Sequence, residues 1–251
     1  MTRLNAAGIH ILISFFIVAT ALAIMYWVWY PKEYFILMGG QKLIILLSSV
    51  DVLIGPLLTF LVFKSGKKSL KFDLICIGLV QISALCYGGY VMFESRPVFT
   101  VFNKDKFQIS AVVDIAPEEL AKAKRPEWRH LSIAGPELVA IGIPDAKDRK
   151  ETMFAKIESA SAYRYPRLFE QYKKHREEVI KSGKSLALLA SFSKKNKAVI
   201  DKFVSNSNRP ENDYLYLPIT SELAAMSVIV DAKTGEFIEI IDARQNKKLS
   251  P

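Results

Sequence analysis

Three apolar runs open this chain, and they set most of what it can fold into. The first, Ile9 to Tyr30, contains no Asp, Glu, Lys or Arg. The second, Leu43 to Phe63, contains one charge, Asp51, and the third, Leu74 to Phe93, contains none. At a helical rise of 1.5 Å, about 20 residues cover a hydrocarbon core of roughly 30 Å. Lipid offers the backbone no hydrogen bonds, so each run is expected to be a membrane-spanning helix. A cleaved signal peptide is the alternative for the first run, because Arg3 precedes it and Ala21-Leu22-Ala23 resembles a cleavage site. The run outlasts the usual apolar stretch of about 7–15 residues. It ends on Trp27, Trp29 and Tyr30, residues that anchor at a membrane–water boundary, so a retained helix is expected.

The overall composition, 51% hydrophobic and 24% charged, hides a split. Residues 1–95 hold 7 Lys and Arg against 4 Asp and Glu, whereas residues 96–251 hold 27 against 21. A single soluble globule, a disordered chain and a disulfide-rich miniprotein are all excluded. The expected fold class is a membrane protein: three N-terminal transmembrane α-helices over residues 1–95, then a soluble α+β domain over residues 96–251. The second part is long enough to bury its own core. Both cysteines, Cys76 and Cys86, lie in the third run and read as apolar packing residues. The soluble domain must therefore fold without disulfides.

Orientation follows from the lysines and arginines of the short loops. Arg3, Lys64, Lys67, Lys68 and Lys71 fall on one side, and Lys32, Lys42 and Arg96 on the other. The larger set predicts a cytoplasmic N-terminus. Three spans then place residues 96–251 outside, which in a Gram-negative bacterium means an inner-membrane protein with a periplasmic C-terminal domain.

Asp51 is the sharpest single signal. A mid-helix Asp costs about 2.5–3.5 kcal/mol to insert, so such residues face a bundle interior or a partner. Twelve positions separate it from Phe63, about 18 Å of helix. The same depth falls near Thr20 on the first run and near Gln81 and Ser83 on the third, with Ser48 and Ser49 close in sequence. His10 lies nearer the cytoplasmic end, which makes a His10–Asp51 pair geometrically poor. Pro56 cannot donate to the carbonyl of Val52, so a kink is expected at Gly55-Pro56. Asp51, Gly55 and Pro56 are the candidate partner-binding residues. An internal polar clamp between the three helices is the equally weighted alternative, and ion transport is a poor fit to one acidic group.

In the soluble part, Val98–Phe102 and Phe107–Val113 read as a hairpin around Asn103-Lys104-Asp105. Pro117 opens a short helix to Lys122. Leu138–Ile143 reads as a strand, and Asp148 with Glu151 starts a helix to Ala160. A helix is predicted from Arg167 to Lys181, and Tyr165, Phe169 and Tyr172 share its apolar face. Leu186–Phe192 reads as a short strand, and Ser193 caps a helix to Val204. Tyr214–Ile219 is a strand. Met226–Asp231 and Glu236–Ile241 form a closing hairpin with Gly235 in its turn. Gln245 to Pro251 reads as a loose polar tail.

No catalytic constellation stands out. His130 and His175 have no metal spacing, and nucleophile-elbow, P-loop and dinucleotide motifs are absent from the sequence. No enzyme activity, cofactor or metal is expected, nor is nucleic-acid binding by an exterior domain. Trp128-Arg129-His130 reads as half-buried packing rather than a recognition cluster. The basic sets Lys173, Lys174, Arg176, Lys181, Lys184 and Lys194, Lys195, Lys197, Lys202 read first as solvated faces. Contact with membrane lipids or an acidic partner is the functional alternative.

The run Asp51-Val-Leu-Ile-Gly-Pro-Leu-Leu-Thr59, continued by Val62-Phe63-Lys64 and by Gly66-Lys67-Lys68-Ser-Leu-Lys71-Phe-Asp73, resembles the type IV pilin accessory protein family (the TfpX/TfpZ group). Trp29-Tyr30-Pro31, Arg96-Pro97-Val98 and the late Val230-Asp231-Ala-Lys-Thr-Gly235-Glu segment also fit. The resemblance is strongest over residues 5–110. It implies an inner-membrane, chaperone-like accessory factor that binds the type IV pilin subunit and aids its assembly into pili, with pilus assembly machinery as a further partner. It brings no catalytic residue, and Asp51 is the one position it marks. The competing reading is a membrane-anchored sensor or regulator of the pilus machinery or envelope.

Overall fold

The computed structural model describes residues 2–142 and 159–245. The chain divides into two compact units, Met1–Arg96 and Pro97–Pro251.

The first unit holds three helices long and apolar enough to cross a membrane: Arg3–Trp29, Gly40–Val62 and Leu70–Glu94. Together with the sheet-containing second unit they give the fold class expected from sequence. Phe16, Leu57 and Ile82 are exposed on the helix surfaces, positions that lipid would cover. Cys76 and Cys86 are exposed too, so they do not pack inside the bundle as expected. In lipid an outward thiol loses little, because the surroundings are as apolar as a core. The second span packs against both of the others. One end of the unit is tied by Arg3, whose Nε donates to the Phe63 carbonyl at 2.7 Å. That bond satisfies a carbonyl at a helix C-terminus, where four are otherwise left over. At the other end buried Tyr30 donates its hydroxyl to the Met92 carbonyl at 2.6 Å. Trp29 stacks edge-on against Phe93 at 5.3 Å, and Arg96 lies over that ring at 3.6 Å.

In the second unit β1 (Pro97–Asn103) and β2 (Lys106–Ala111) form the first hairpin, with Lys104 at φ 61° in its turn. β3 (Glu137–Ile141) runs parallel to β1, and β4 (Phe169–Gln171) runs antiparallel to β3. β5 (Lys184–Ser185) and β6 (Tyr214–Thr220) pair antiparallel, and β2 lies parallel to β6. β7 (Ala225–Asp231) and β8 (Phe237–Ile241) complete the closing hairpin. The order is β4-β3-β1-β2-β6-β7-β8, with β5 against β6, so both terminal hairpins share one sheet. One apolar cluster gathers Phe99, Val101, Trp128, Val139 and Phe169. A second joins Leu186, Leu189 and Ile200 to Tyr214, Tyr216 and Ile229. Each such large side chain removed from water contributes about 1.5–3 kcal/mol.

Several local expectations need correction. The second strand ends at Ala111, because Asp114 accepts from the Ala111 N–H at 2.8 Å and turns Val112–Asp114 into a 3₁₀ turn. The helix expected over Arg167–Lys181 is instead β4, a 3₁₀ turn at Tyr172–His175, and a helix only over Arg176–Ser182. Phe169 and Tyr172 are core residues as read, yet they reach the core without a shared helix face. Pairing with β3 satisfies the Phe169–Gln171 backbone and overrides a helical pattern. Leu186–Ser191 is a helix rather than a strand: Ser185 caps it, and Leu186 and Leu189 fall on its buried side. A short apolar run carries no periodicity to decide between the two states. Ser193 does cap the helix Lys194–Ser207, accepting from the Asn196 N–H at 3.0 Å. The helix expected over Asp148–Ala160 falls mostly outside the described residues, as do the end of the 138–143 strand and the tail beyond residue 245.

The Val230–Glu236 segment is held from two sides. Tyr172 donates its hydroxyl to the Gly235 carbonyl at 2.7 Å. Arg209 pairs with Asp231 at 2.8 Å, and the Lys233 and Thr234 N–H groups donate to the same carboxyl at 2.8 and 2.7 Å. Partial burial opposes ionisation of Asp231, but these donors outweigh it and hold the carboxyl well below the usual carboxylate range. A depressed folded pKa adds stability above the unfolded value of about 3.9 and loses it as pH falls below that value. Asp231→Asn is therefore expected to melt lower than wild type at pH 7, with the gap closing as pH drops below about 4. Thermal melts of the purified full chain at stepped pH read this, and a pH-independent gap would refute it.

Candidate functional site

Two stripes of residues spaced by four build the contact between the first and second spans. Ala6, Ser14 and Val18 are buried on the first, with half-buried His10 between them. Asp51, Gly55, Thr59 and Phe63 are buried on the second. Positions four apart stack on one helix face, and small residues there let two helices approach closely. The register is set by the His10 Nδ1 to Thr59 Oγ1 hydrogen bond of 2.6 Å and by the Arg3–Phe63 bond. Counting antiparallel from His10–Thr59 brings Ser14 opposite Gly55 and Val18 opposite Asp51.

Between the first and third spans lies a cavity of about 200 Å³. Asp51 is its single lining residue from the second span, and His10, Ser14 and Gln81 line it as well. Ser14 and Asp51 are each 4% exposed and sit deep, whereas Ile17 and Ile82, at 41% and 60%, stand at the mouth. The Gln81 amide lies beside Asp51 but donates to its backbone carbonyl, at 3.3 Å. Among the described residues neither carboxyl oxygen of Asp51 has a hydrogen-bond partner. A buried polar group left so is costly, by about 1–3 kcal/mol and more if charged.

The backbone around Asp51 is irregular. Ser49–Ile54 is π-helical, and the Gly55 N–H bonds to the Val50 carbonyl five residues back. The disturbance expected from Pro56 thus takes the form of a widened turn one step earlier. Asp51 lies within this widened turn, and such a turn rotates the helix face that follows it.

Of the three candidate partner-binding residues, Asp51 lines the cavity, while Gly55 and Pro56 are buried in the helix packing. A Cβ on Gly55 would clash with the Gln81 amide, so the missing side chain makes room for Gln81. The depth argument found Gln81. It missed Ser14 and chose Thr20 and Ser83, which are both exposed. Thr20 satisfies its own hydroxyl on the Phe16 carbonyl at 2.8 Å. The error has a physical origin: the register puts Val18 opposite Asp51, so Thr20 is only two residues off in depth, but depth alone does not say which residues lie on the packed face. The every-fourth spacing of Ala6, His10, Ser14 and Val18 was the signal that finds the face. His10 does not hydrogen-bond Asp51, as expected, yet it shares the cavity with it.

Residues 1–39 match the family described as "Fimbrial assembly protein FimB". The chain is 40% identical over 195 residues to the "Fimbrial assembly protein, serogroup E1" of Dichelobacter nodosus, spanning 76% of this chain and 74% of that relative. It is 35% identical over 185 residues to the serogroup I protein of the same organism, spanning 72% of this chain and 71% of the relative. The protein of serogroups C1 and C2 is 40% identical over 120 residues, 47% of this chain and 91% of the relative. No solved structure matches the chain.

Proposed function

Because the chain belongs to the fimbrial assembly protein family, we propose that it is a chaperone-like accessory factor that binds the type IV pilin subunit in the bacterial inner membrane and aids its assembly into pili. The observation that carries this reading is the cavity between the first and third spans, with an unpaired carboxyl at its base and an apolar mouth. An intramembrane acid whose carboxyl oxygens have no hydrogen-bond partner among the described residues suits a surface that waits for another chain. The resemblance to the TfpX/TfpZ group of pilin accessory proteins supports pilin as that chain. A pilin held in the membrane presents one long apolar helix and a soluble domain, and a protein with both kinds of unit can engage both. The loop lysines Lys64, Lys67, Lys68 and Lys71 support a cytoplasmic N-terminus and a periplasmic second unit. No catalytic step is assigned to the protein.

In-cell photocrosslinking tests the proposal. Photoreactive residues at Ile17 in the first unit and at exposed Leu223 in the second are expected to yield pilin adducts, identified by mass spectrometry. Adducts consisting of pilus machinery subunits and never pilin would replace the accessory role with that of an assembly-platform regulator.

A further inference from the structure

The geometry points to a specific recognition chemistry, and it rests on the pilin-binding reading above: the cavity over Asp51 takes one hydrogen-bond-donating side chain, an amine or hydroxyl, inserted by an apolar transmembrane helix of the partner that lies across the mouth between the first and third spans.

Size is the first argument. The cavity measures about 200 Å³. A cavity of about 150 Å³ holds benzene, so this one admits a single side chain and not a helix. The partner's helix must then rest outside, against Ile17 and Ile82, which are exposed and apolar. Those two residues come from different spans, so a helix resting on both bridges the first and third spans.

Chemistry is the second argument. Asp51 is 96% buried by area, its residue exposure being 4%, and both its carboxyl oxygens lack partners among the described residues. Gln81 gives one of its two amide hydrogens to the Asp51 backbone carbonyl, and His10 engages Thr59 through Nδ1. Both side chains lie close to the carboxyl, yet neither forms a hydrogen bond with its oxygens among the described residues. A lipid tail filling the cavity would leave the carboxyl just as unsatisfied, and a phosphate headgroup would be repelled by it and lies far from this depth. A donor reaches both goals, because it meets the acceptor and is itself relieved of an unpaired position in lipid. Charge-assisted hydrogen bonds of this kind are roughly twice as strong as neutral ones.

Gly55 and Pro56 are both buried and neither lines the cavity, and the missing side chain of Gly55 leaves space for Gln81.

The test uses the full-length protein in its own membrane, with photoreactive residues at Ile17, at Ile82 and at Leu53, which is also exposed but does not line the cavity. Strong pilin adducts are expected from Ile17 and Ile82 and weak ones from Leu53. Peptide mapping should locate the adducts beside a donor residue of the pilin helix. Asp51→Leu should reduce the Ile82 adduct about tenfold or more, and Asp51→Glu should retain most of it. Replacing the mapped pilin donor with leucine should reduce the adduct in wild type and add nothing in Asp51→Leu. Unchanged Ile82 adducts in Asp51→Leu overturn the recognition chemistry. Pilin adducts from Leu53 or the second unit, with none from Ile17 and Ile82, overturn the groove while sparing the accessory function. Absence of pilin adducts from every position, with machinery adducts present, overturns that function and this inference together.

Discussion

Replacing Asp51 with leucine is expected to lower surface fimbriae about tenfold or more while the protein stays at wild-type abundance in the membrane. The two halves of that result have separate causes. Fimbriae fall because a bond between a buried carboxyl and a partner's donor is worth about 1.5–3 kcal/mol, or roughly 10- to 100-fold in occupancy. Abundance holds because leucine removes an acid whose carboxyl oxygens have no hydrogen-bond partner among the described residues. Exchange of a buried charge for an apolar side chain of similar volume is often neutral or stabilising. The contacts that hold the first and second spans, Arg3 to Phe63 and His10 to Thr59, do not involve the Asp51 side chain. Electron microscopy of cells, with quantitative blots of both this protein and pilin, reads both halves. Normal piliation at normal abundance would remove Asp51 from the mechanism. A collapse of abundance would instead make it the internal clamp weighed against partner binding from the sequence.

Gly235→Ala is expected to give the largest loss of stability in the second unit, about 2–3 kcal/mol. Two effects add at this position. Gly235 has φ 67°, in the left-handed region that a Cβ penalises. That Cβ would also meet the Arg176 backbone oxygen at 2.5 Å, and backbone moves less readily than the end of a side chain. The turn is further pinned by Tyr172 on the Gly235 carbonyl, so it cannot simply swing away. Burial of the Tyr172 ring, with a smaller opposing influence from Arg176, holds its hydroxyl protonated far into alkaline pH. The bond therefore persists across the working range. For a unit of this size 2–3 kcal/mol corresponds to a fall in melting temperature of roughly 5–10 °C. Thermal melts of the full chain in detergent, followed by β-sheet circular dichroism, measure it. Gly235→Asn separates the causes, since asparagine tolerates the left-handed region but keeps the Cβ. A loss equal to that of alanine assigns the effect to the close approach, and recovery assigns it to the backbone angle.

Membership of a fimbrial assembly family carries no stated chemistry, so the arrangement around Asp51 is what gives the role a physical form. On the proposed reading, a site that admits one side chain provides contact with a subunit without engulfing a whole helix. Most of the recognition would then come from apolar contact along the helix, with Asp51 reading whether the inserted group is a donor. That division matches the general behaviour of interfaces, where a few anchors set specificity.

The two hairpins and the three spans were legible in the sequence because each rests on local rules. A span needs only length and apolarity, and the hairpin at Gly235 needs only alternating residues around a residue that tolerates positive φ. Helix capping by Ser193 is equally local. Arg167–Lys181 and Leu186–Phe192 were misread because their states are settled by neighbours far along the chain. Phe169–Gln171 becomes a strand when β3 offers it hydrogen bonds, and Leu186–Ser191 becomes a helix where it packs among Ile200, Tyr214 and Tyr216.

The same line divides the candidate site. Sequence by itself determined that an acid lies at mid-membrane depth, that a proline disturbs the helix beside it and that Gln81 is level with it. Only the tertiary structure decided that the Gln81 amide goes to the backbone, that Ser14 rather than Thr20 joins the site, and that the carboxyl is left facing a cavity. The physical reason is the solvent. In water an apolar stripe betrays the buried face of a helix, but in lipid every face is apolar, and the face that packs is chosen by small-residue fit and by the register of two polar bonds.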